Sequence, residues 1–382
     1  MKISIITIQY AHNYGAVLQA FSLKKFLEIK GHQVTVVNYV PPREKRKYSL
    51  KLKNSLGKKE AITKLKILEW FRNEIDVKRA QPEWEVRYNN FNDFIEKMLT
   101  LGKSEVTDVE ALEKDADAFI CGSDQIWNPV IVGEENPFYF LDFKTMAKKI
   151  SYAGSMGNPK TCYRKEYLQR VFSDFDAISV REEQLKELLT NYYCIDSVNV
   201  VCDPCLLLEK KDFLPLISNK KLEKSTYICV YYINDNGLLN NIFKNMDKLD
   251  ERQIIEIRWI RNFRVLNQNQ KVSLGVSDFL WYIDNCETLF TDSFHGVIFA
   301  ILFHKDFWAI YETNSRIESV LSIAGIENRH IRNMNEVKQG CSIDWEMVDR
   351  NIKRFRDISK RFLEYSLTGK EYVLDDKKYV ER

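Results

Sequence analysis

A polar cluster between two apolar segments is the feature that most constrains the fold of this chain. A strand-like segment ends at Phe290, the cluster Thr-Asp-Ser-Phe-His-Gly occupies residues 291–296, and a helix-like apolar segment follows to Phe303. A strand that passes through a polar loop into a helix is typical of α/β domains, which place their chemistry at the carboxyl ends of strands. The cluster contains His295, one of five histidines in the chain, and an imidazole can donate or accept a proton near neutral pH.

The same alternation of segments recurs through the first half of the chain. A strand is expected at 3–8, a helix runs from the turn at Asn13 to Gly31, and a second strand at 33–39 precedes a pair of prolines. This opening predicts a parallel sheet with right-handed crossovers. Further strands are expected at 118–121, 149–153, 176–180 and 198–201, and a polar cluster follows each of them. We therefore expect these clusters to line one crevice.

Two domains are expected, because 382 residues are many for one hydrophobic core. A charged segment at 209–224 is interpreted as the linker, and strands at 227–233, 254–257 and 288–290 begin a second unit. We predict an α/β fold with Rossmann-like domains at 1–212 and 225–342, and a helical tail at 343–382. The tail has apolar residues on one face that we expect to return to the N-terminal domain: Ile352, Phe355, Ile358, Phe362 and Tyr365.

A basic helical insertion is predicted at 43–100. Its part at 43–79 holds 13 Lys/Arg against 5 Asp/Glu. The favoured interpretation is a solvated helix with one apolar stripe, and the alternative is a basic surface that meets anionic lipid headgroups. The stripe would consist of Ile62, Leu65, Leu68, Phe71 and Ile75. The first apolar segment is too short for a signal peptide and none reaches the length that spans a bilayer. We expect a cytoplasmic protein, with peripheral contact at the inner face of the membrane as the further option.

Composition and motifs exclude several classes of function. The formal net charge of +3 does not suggest a nucleic-acid partner. The eight cysteines form no disulfide framework, and the pair at 202 and 205 lacks the second pair of a zinc ribbon. Glycine-rich dinucleotide and phosphate-binding motifs and the nucleophile elbow of hydrolases do not occur in the sequence. We expect neither a metal nor a cofactor.

Several polar residues after the expected strands are candidates for a site, and each has a structural alternative. His295 at a helix start suits an anion-binding acid or base, or it is a satisfied buried histidine. Arg181 suits a carboxylate or phosphate, or it pairs with a neighbouring glutamate. Arg316 likewise binds an anion or pairs with a glutamate on its own helix. Trp127 stacks on a sugar face or belongs to the core. The loop at 122–124 presents hydrogen-bond donors or is a capped turn, and Asn13 caps a helix.

Taken together, these motifs resemble the polysaccharide pyruvyl transferase family. The matching pieces run in order along most of the chain, at 13–19, 122–129, 151–155, 180–182, 203–204 and 292–296. The resemblance implies two Rossmann-like domains facing a cleft, as in the glycosyltransferase-B arrangement. It also implies transfer of the pyruvyl group of phosphoenolpyruvate onto two hydroxyls of a sugar, with a pyruvate ketal and phosphate as products. The acceptor would be a surface polysaccharide or its lipid-linked precursor.

The resemblance also implies roles for individual residues. His295 would be the acid/base, with Asp292 to orient it. Donor contacts would come from Arg181, Ser293, Gly296 and Arg316. Acceptor contacts would come from Asn13, Tyr14, Gly15, Ser123, Asp124, Gln125, Trp127 and Ser151. Well-known members have arginine where this chain has Ser293, so either another cation such as Arg316 holds the anion or the donor differs.

Two other functions fit the same sequence. One is a glycosyltransferase that uses a nucleotide sugar, which would need a base-and-ribose pocket in the C-terminal domain. The other is a non-catalytic carbohydrate-binding protein of polysaccharide assembly, in which substitution of His295 would leave ligand binding largely intact.

Overall fold

A computed structural model describes most of the chain, and all structural statements below concern these residues. They are 1–42, 44–45, 47–51, 64–102, 104–112, 115–157, 163–220, 226–233, 253–259, 269–332, 336–337 and 342–369. The side chains of the predicted stripe from Ile62 to Phe71, and many of the basic residues of that segment, lie outside this description. Ile75, the last residue of the stripe, is about half exposed, with 51% of its surface accessible.

The first sheet has six parallel strands in the order β2-β1-β3-β4-β5-β6. Their bounds are β1 Lys2–Ile6, β2 Gln33–Val36, β3 Ala118–Asp124, β4 Lys148–Gly154, β5 Ala177–Val180 and β6 Val198–Val200. The strands are nearly continuous apolar runs because both faces of the sheet are covered. The chain leaves β1 on one side for β2 and returns on the other side for β3. The carboxyl ends of β1 and β3 therefore form a topological switch point, the usual ligand position in such sheets.

The second sheet also has six parallel strands, in the order β12-β11-β10-β7-β8-β9. Their bounds are β7 Tyr227–Tyr231, β8 Gln253–Ile257, β9 Gln270–Lys271, β10 Thr288–Thr291, β11 Asp306–Ile310 and β12 His330–Ile331. Here the order reverses between β7 and β10, which gives a second switch point. The predicted α/β architecture of two parallel-sheet domains is confirmed.

Ten α-helices connect or cover these strands within the described residues. They are α1 Tyr14–Ile29, α2 Lys64–Met98, α3 Pro129–Val132, α4 Lys165–Phe172, α5 Glu183–Glu187, α6 Lys210–Phe213, α7 Val276–Asn285, α8 Phe294–Leu302, α9 Ser315–Ala324 and α10 Trp345–Thr368. Helix α8 is buried over its whole length, as its unbroken apolar sequence requires. Each of these helices is too short or too polar to cross a bilayer.

The C-terminal helix α10 returns to the N-terminal domain, as predicted. The Lys148 ammonium donates to the Ser366 carbonyl at 2.8 Å, and the Ser359 hydroxyl accepts from the Cys202 amide at 2.8 Å. The predicted apolar face was partly wrong, because Ile358 and Tyr365 are exposed. The buried positions of α10 are Val348, Ile352, Ser359, Leu363, Ser366 and Leu367.

The two domains share one apolar core where α1 meets α7 and α8. Tyr14 stacks on Phe279 with ring centroids 4.1 Å apart, and its hydroxyl donates to the Leu274 carbonyl at 3.1 Å. Arg87 of α2 is buried beside them and donates to the Tyr14 hydroxyl at 2.7 Å and to the Val272 carbonyl at 3.3 Å. These contacts hold the two switch points face to face.

Candidate active site

An interdomain cavity of about 510 Å³ lies between the two switch points. Its walls come from the loops after β1, β3, β7, β8, β10 and β11, so both domains contribute. The predicted site residues that line it are Asn13, Tyr14, Asp124, Gln125, Asp292, Ser293, His295 and Arg316. Most of these positions follow a strand, which is why the strand-end argument found them.

His295 lies in the first turn of α8, where the sequence placed it. The Ser293 hydroxyl caps this helix by accepting from the Gly296 amide at 3.3 Å. Gly296 is buried against β10, since a side chain there would meet the Thr291 hydroxyl oxygen at 2.4 Å. Gly296 therefore allows close packing of helix on strand and does not line the cavity. His295 is 6% exposed, and its imidazole still forms part of the cavity wall.

Two residues of the N-terminal domain hold the His295 ring. The Nε2 atom lies 3.4 Å from Oδ2 of Asp203, which follows β6. On the other side the ring packs on Gly15, because a Cβ built there would be 2.0 Å from Nδ1. Asp292 had been predicted to orient His295. Its Oδ1 instead accepts from the Ile233 amide at 2.6 Å.

Arg181 is the centre of a buried group of carboxylates. Its guanidinium donates to Asp203 at 2.9 Å and lies 3.5 Å from Asp124 and 3.7 Å from Glu182. Arg181 is 3% exposed and does not line the cavity. The structure therefore places it behind the cavity wall, which corrects its predicted position beside the donor and favours the salt-bridge alternative. Its partners include Glu182, one of the two glutamates considered from the sequence.

The electrostatics of this group depend on its burial. Burial alone would raise the pKa of Asp203, but His295 and Arg181 more than offset this effect, so the pKa lies below its usual range. Burial by itself lowers the pKa of Arg181. The negative charges of Glu182 and Asp203 have a larger, opposite effect, so the pKa is raised overall. Burial raises the pKa of Glu182 despite the opposing effect of Arg181. Asp203 is thus a buried anion that lies close to both the Arg181 guanidinium and the His295 imidazole.

The cations that line the cavity are Lys47, Arg87, Arg258 and Arg316. Arg316 lies at the start of α9 and is partly buried, and it makes no hydrogen bond or close ion pair with another described residue. Burial and the nearby Arg181 lower its pKa. Arg258 donates to Glu256 at 2.5 Å, and burial lowers its pKa to about 10. Arg316 is therefore the lining arginine best prepared to take up an anion.

Four predicted acceptor residues do not line the cavity. Gly15 packs against the His295 ring, and the other three lie inside the N-terminal domain. Trp127 is fully buried, and its indole N–H donates to the Tyr139 carbonyl at 2.9 Å, so the core alternative is the correct one. Ser123 and Ser151 are fully buried as well. The Ser151 hydroxyl donates to the Ser179 carbonyl at 3.0 Å. Contrary to the prediction, these three side chains therefore do not face the cavity.

An aromatic wall that the sequence analysis missed closes the other side of the cavity. Tyr48 from the insertion and Trp259 after β8 line the cavity with ring centroids 5.9 Å apart. Both side chains are partly exposed, whereas Trp84 and His12 support them from the buried side. The Arg87 guanidinium lies 5.1 Å from the Trp259 ring centroid. Because these residues come from separate segments, no single sequence motif predicts that they form one wall.

His295 and two neighbouring residues form a group of three potential metal ligands. The ligand atoms of Asp203, Cys205 and His295 lie within 4.8 Å of one another. Arg181 already occupies the Asp203 carboxylate, and burial raises the pKa of the Cys205 thiol well above its ordinary value. A protonated thiol and an adjacent guanidinium disfavour a bound cation.

The fold and cavity define a class of proteins with two Rossmann-like domains and a ligand site between them. Solved structures of this class include S. aureus MnaA in a co-structure with UDP, with 15% identity, a TM-score of 0.50 and coverage of 97% of this chain and 99% of that one. A putative UDP-N-acetylglucosamine 2-epimerase from Listeria monocytogenes has 12% identity, a TM-score of 0.50 and coverage of 98% and 99%. The predicted glycosyltransferase-B-like arrangement is thereby confirmed at the level of the fold.

The family model of polysaccharide pyruvyl transferase matches residues 13–314. The chain therefore belongs to the polysaccharide pyruvyl transferase family, a family of transferases in polysaccharide biosynthesis. None of the curated proteins matches it.

Proposed function

We propose that this protein transfers the pyruvyl group of phosphoenolpyruvate onto two hydroxyls of one sugar residue, forming a cyclic ketal and releasing phosphate. The acceptor is a surface polysaccharide or its lipid-linked precursor, reached at the inner face of the membrane. The observation that carries the proposal is the position of His295. Among the described residues, His295 is the only histidine that lines the cavity. It lies at the switch point of the C-terminal domain, between cationic and aromatic walls, in a member of this family.

The reaction needs proton transfer and stabilisation of a leaving anion. His295, as the acid, delivers a proton to the methylene carbon of phosphoenolpyruvate, and a sugar hydroxyl attacks the neighbouring carbon. The bond from that carbon to the phosphate oxygen then breaks, and the second hydroxyl closes the ketal. One hydroxyl proton replaces the proton given to the new methyl group, and the other leaves with phosphate. A single histidine that alternates as acid and base meets the need for proton transfer.

Arg316 is the residue that we assign to the donor anion. It reaches the cavity from the first turn of α9, where the helix dipole also favours negative charge. A guanidinium matches a carboxylate or phosphate with two parallel hydrogen bonds. Arg258 and Lys47 add positive potential along the same cavity. The Ser293 hydroxyl is engaged in capping α8. The donor contact proposed for this residue would therefore come from the N-terminal end of the helix and not from the hydroxyl.

The acceptor sugar fits between the aromatic wall and the polar loops of the N-terminal domain. Tyr48 and Trp259 offer ring faces to the apolar face of a pyranose, while Asp124, Gln125 and Asn13 offer acceptors and donors to its hydroxyls. Basic residues near Tyr48, including Lys47, are compatible with a lipid pyrophosphate carrier at a membrane surface.

Calorimetric titration with phosphoenolpyruvate, with UDP as the competing ligand, tests the donor. UDP is the appropriate competitor because the S. aureus neighbour binds it. Phosphoenolpyruvate is expected to bind, and phosphate release with a panel of methyl hexopyranosides is expected to require His295. His295→Asn should bind the donor and release no phosphate. Binding of UDP alone would instead indicate a nucleotide-sugar enzyme, and donor-independent sugar binding that survives His295→Asn would indicate a carbohydrate-binding protein.

A further inference from the structure

His295 belongs to the C-terminal domain, but residues of the N-terminal domain hold its ring. Asp203 follows β6, the edge strand of the first sheet, and Gly15 lies in the first turn of α1. Their contacts with the ring define a small enclosure that we call the interdomain histidine pocket (Gly15 and Asp203). Because the two sides of this pocket and the ring come from different domains, the arrangement exists only while the domains are in contact.

On the Gly15 side of the pocket, the lack of a side chain leaves room for the His295 ring. The three atoms that a Cβ at this position would approach most closely all belong to His295, at 2.0 Å, 2.3 Å and 2.7 Å. Such distances are far below van der Waals contact, so a methyl group and the ring cannot both occupy this place. Gly15 lies within a helix with its neighbours buried, where alanine would otherwise be favoured. The glycine is therefore explained by the ring of the opposite domain.

On the Asp203 side of the pocket, a carboxylate held in a fixed orientation lies next to the His295 ring. Its Oδ2 atom lies 3.4 Å from His295 Nε2 and also accepts from Arg181 at 2.9 Å, while its Oδ1 atom accepts from the Cys205 amide at 3.0 Å. Both oxygens thus also contact groups of the N-terminal domain. A fully buried carboxylate held in this way can set the orientation of an imidazole, as in hydrolase triads.

We propose that Asp203 is the positioning residue of His295, and that contact between the two domains assembles the working acid/base in the interdomain histidine pocket. Its catalytic meaning rests on the proposed pyruvyl transfer, whereas the pocket itself does not.

A stability cycle tests the pocket without any substrate. Melting temperatures would be measured for Gly15→Ala in the natural sequence and in the His295→Ala background. The substitution should lower the melting temperature by about 3 °C or more in the natural sequence, and should be neutral or stabilising once the imidazole is absent. Gly102→Ala, whose Cβ would meet no atom closer than 4.0 Å, is the matched control and should behave alike in both backgrounds. Equal effects of Gly15→Ala in the two backgrounds would overturn the pocket, whatever reaction the protein performs.

A kinetic comparison tests Asp203. Asp203→Asn should lower kcat by about tenfold or more with KM for phosphoenolpyruvate within about twofold, and Asp203→Glu should recover part of the loss. Glu182→Gln removes a carboxylate from the same arginine without touching His295, so its kcat should stay close to that of the natural protein. Equal losses in the Asn and Gln variants would assign the effect to Arg181 and overturn the positioning role. If the natural protein binds phosphoenolpyruvate but transfers nothing while the stability cycle shows coupling, the proposed function fails and the pocket stands.

Discussion

Arg316→Gln is expected to abolish most of the affinity for phosphoenolpyruvate. Arg316 lines the cavity and makes no hydrogen bond or close ion pair with another described residue, so binding an anion breaks no existing contact. A hydrogen bond to a charged group contributes about 1.5–3 kcal/mol. At about 1.4 kcal/mol per tenfold change in Kd, one such contact predicts an affinity lower by about 10- to 100-fold.

Arg181→Gln should act on stability rather than on the donor. The guanidinium is surrounded by Asp203, Asp124 and Glu182, so its removal leaves buried carboxylates without their cation. Breaking one side of a buried ion pair typically destabilises by about 3–5 kcal/mol. We expect a reduced free energy of unfolding in urea, and a Kd for phosphoenolpyruvate that is nearly unchanged in whatever fraction remains folded.

Calorimetric titrations of both variants at one ionic strength separate these effects, with circular dichroism to confirm folding. Arg350→Gln is the control for the loss of one positive charge, because Arg350 is exposed on α10 and lies outside the cavity. The assignment of the donor anion would be refuted if Arg316→Gln bound phosphoenolpyruvate as well as the control while folded Arg181→Gln had lost it. In that case the carboxylates around Arg181 would have to release the guanidinium to the donor.

Three further outcomes follow from the same geometry. Trp259→Ala should raise the acceptor KM by about tenfold through loss of a stacking surface, while Trp281→Ala, outside the cavity, should leave it unchanged in the same steady-state assay. Burial and the adjacent Arg87 lower the pKa of His12 to about 4. Because the buried imidazole resists protonation, about 3 kcal/mol of stability should be lost as pH falls from 6.5 to 4. In His12→Phe, the urea midpoint should not show this part of the decrease with falling pH. Arg87→Met removes contacts to both domains and should destabilise by about 2–4 kcal/mol; an unfolding free energy within about 0.5 kcal/mol of the natural protein would contradict this reasoning.

The positions of the polar loops could be predicted from the sequence because they depend on local pattern. Apolar strands that end in polar clusters identify the carboxyl edge of a parallel sheet, and Asn13, Asp124 and His295 all lie at that edge. The polar or aromatic character of a residue does not say which way it points. Trp127 and Ser151 have the chemistry of sugar contacts, yet both are buried inside the N-terminal domain.

The missing part of the site consists of contacts between distant segments. Arg87 belongs to a buried stripe of α2 that also contains Trp84 and Phe91, at helical spacing. A single arginine on an apolar helical stripe is a signal that could have been found, since burial of a charge requires partners. The approach of Asp203 to His295 has no such signal, because it depends on how one domain lies against the other. The nearest clue was the Asp-Pro pair at 203–204, which formed part of the family resemblance.

Ser293 stands where the family resemblance leads one to expect arginine, and under the proposed function the anion would be held without a cation at this position. The Ser293 hydroxyl caps α8 by accepting from the Gly296 amide at 3.3 Å, a contact that a guanidinium, which has no acceptor, cannot make. In the proposed function Arg316, at the start of α9 and lining the same cavity, supplies the cation. Both positions are at helix N-termini of the C-terminal domain, so an anion at either position would have a positive helix dipole beside it. We therefore expect Ser293→Arg to disturb the cap of α8 rather than to improve donor affinity, and a tighter phosphoenolpyruvate complex in that variant would show that the donor lies nearer to α8 than to α9.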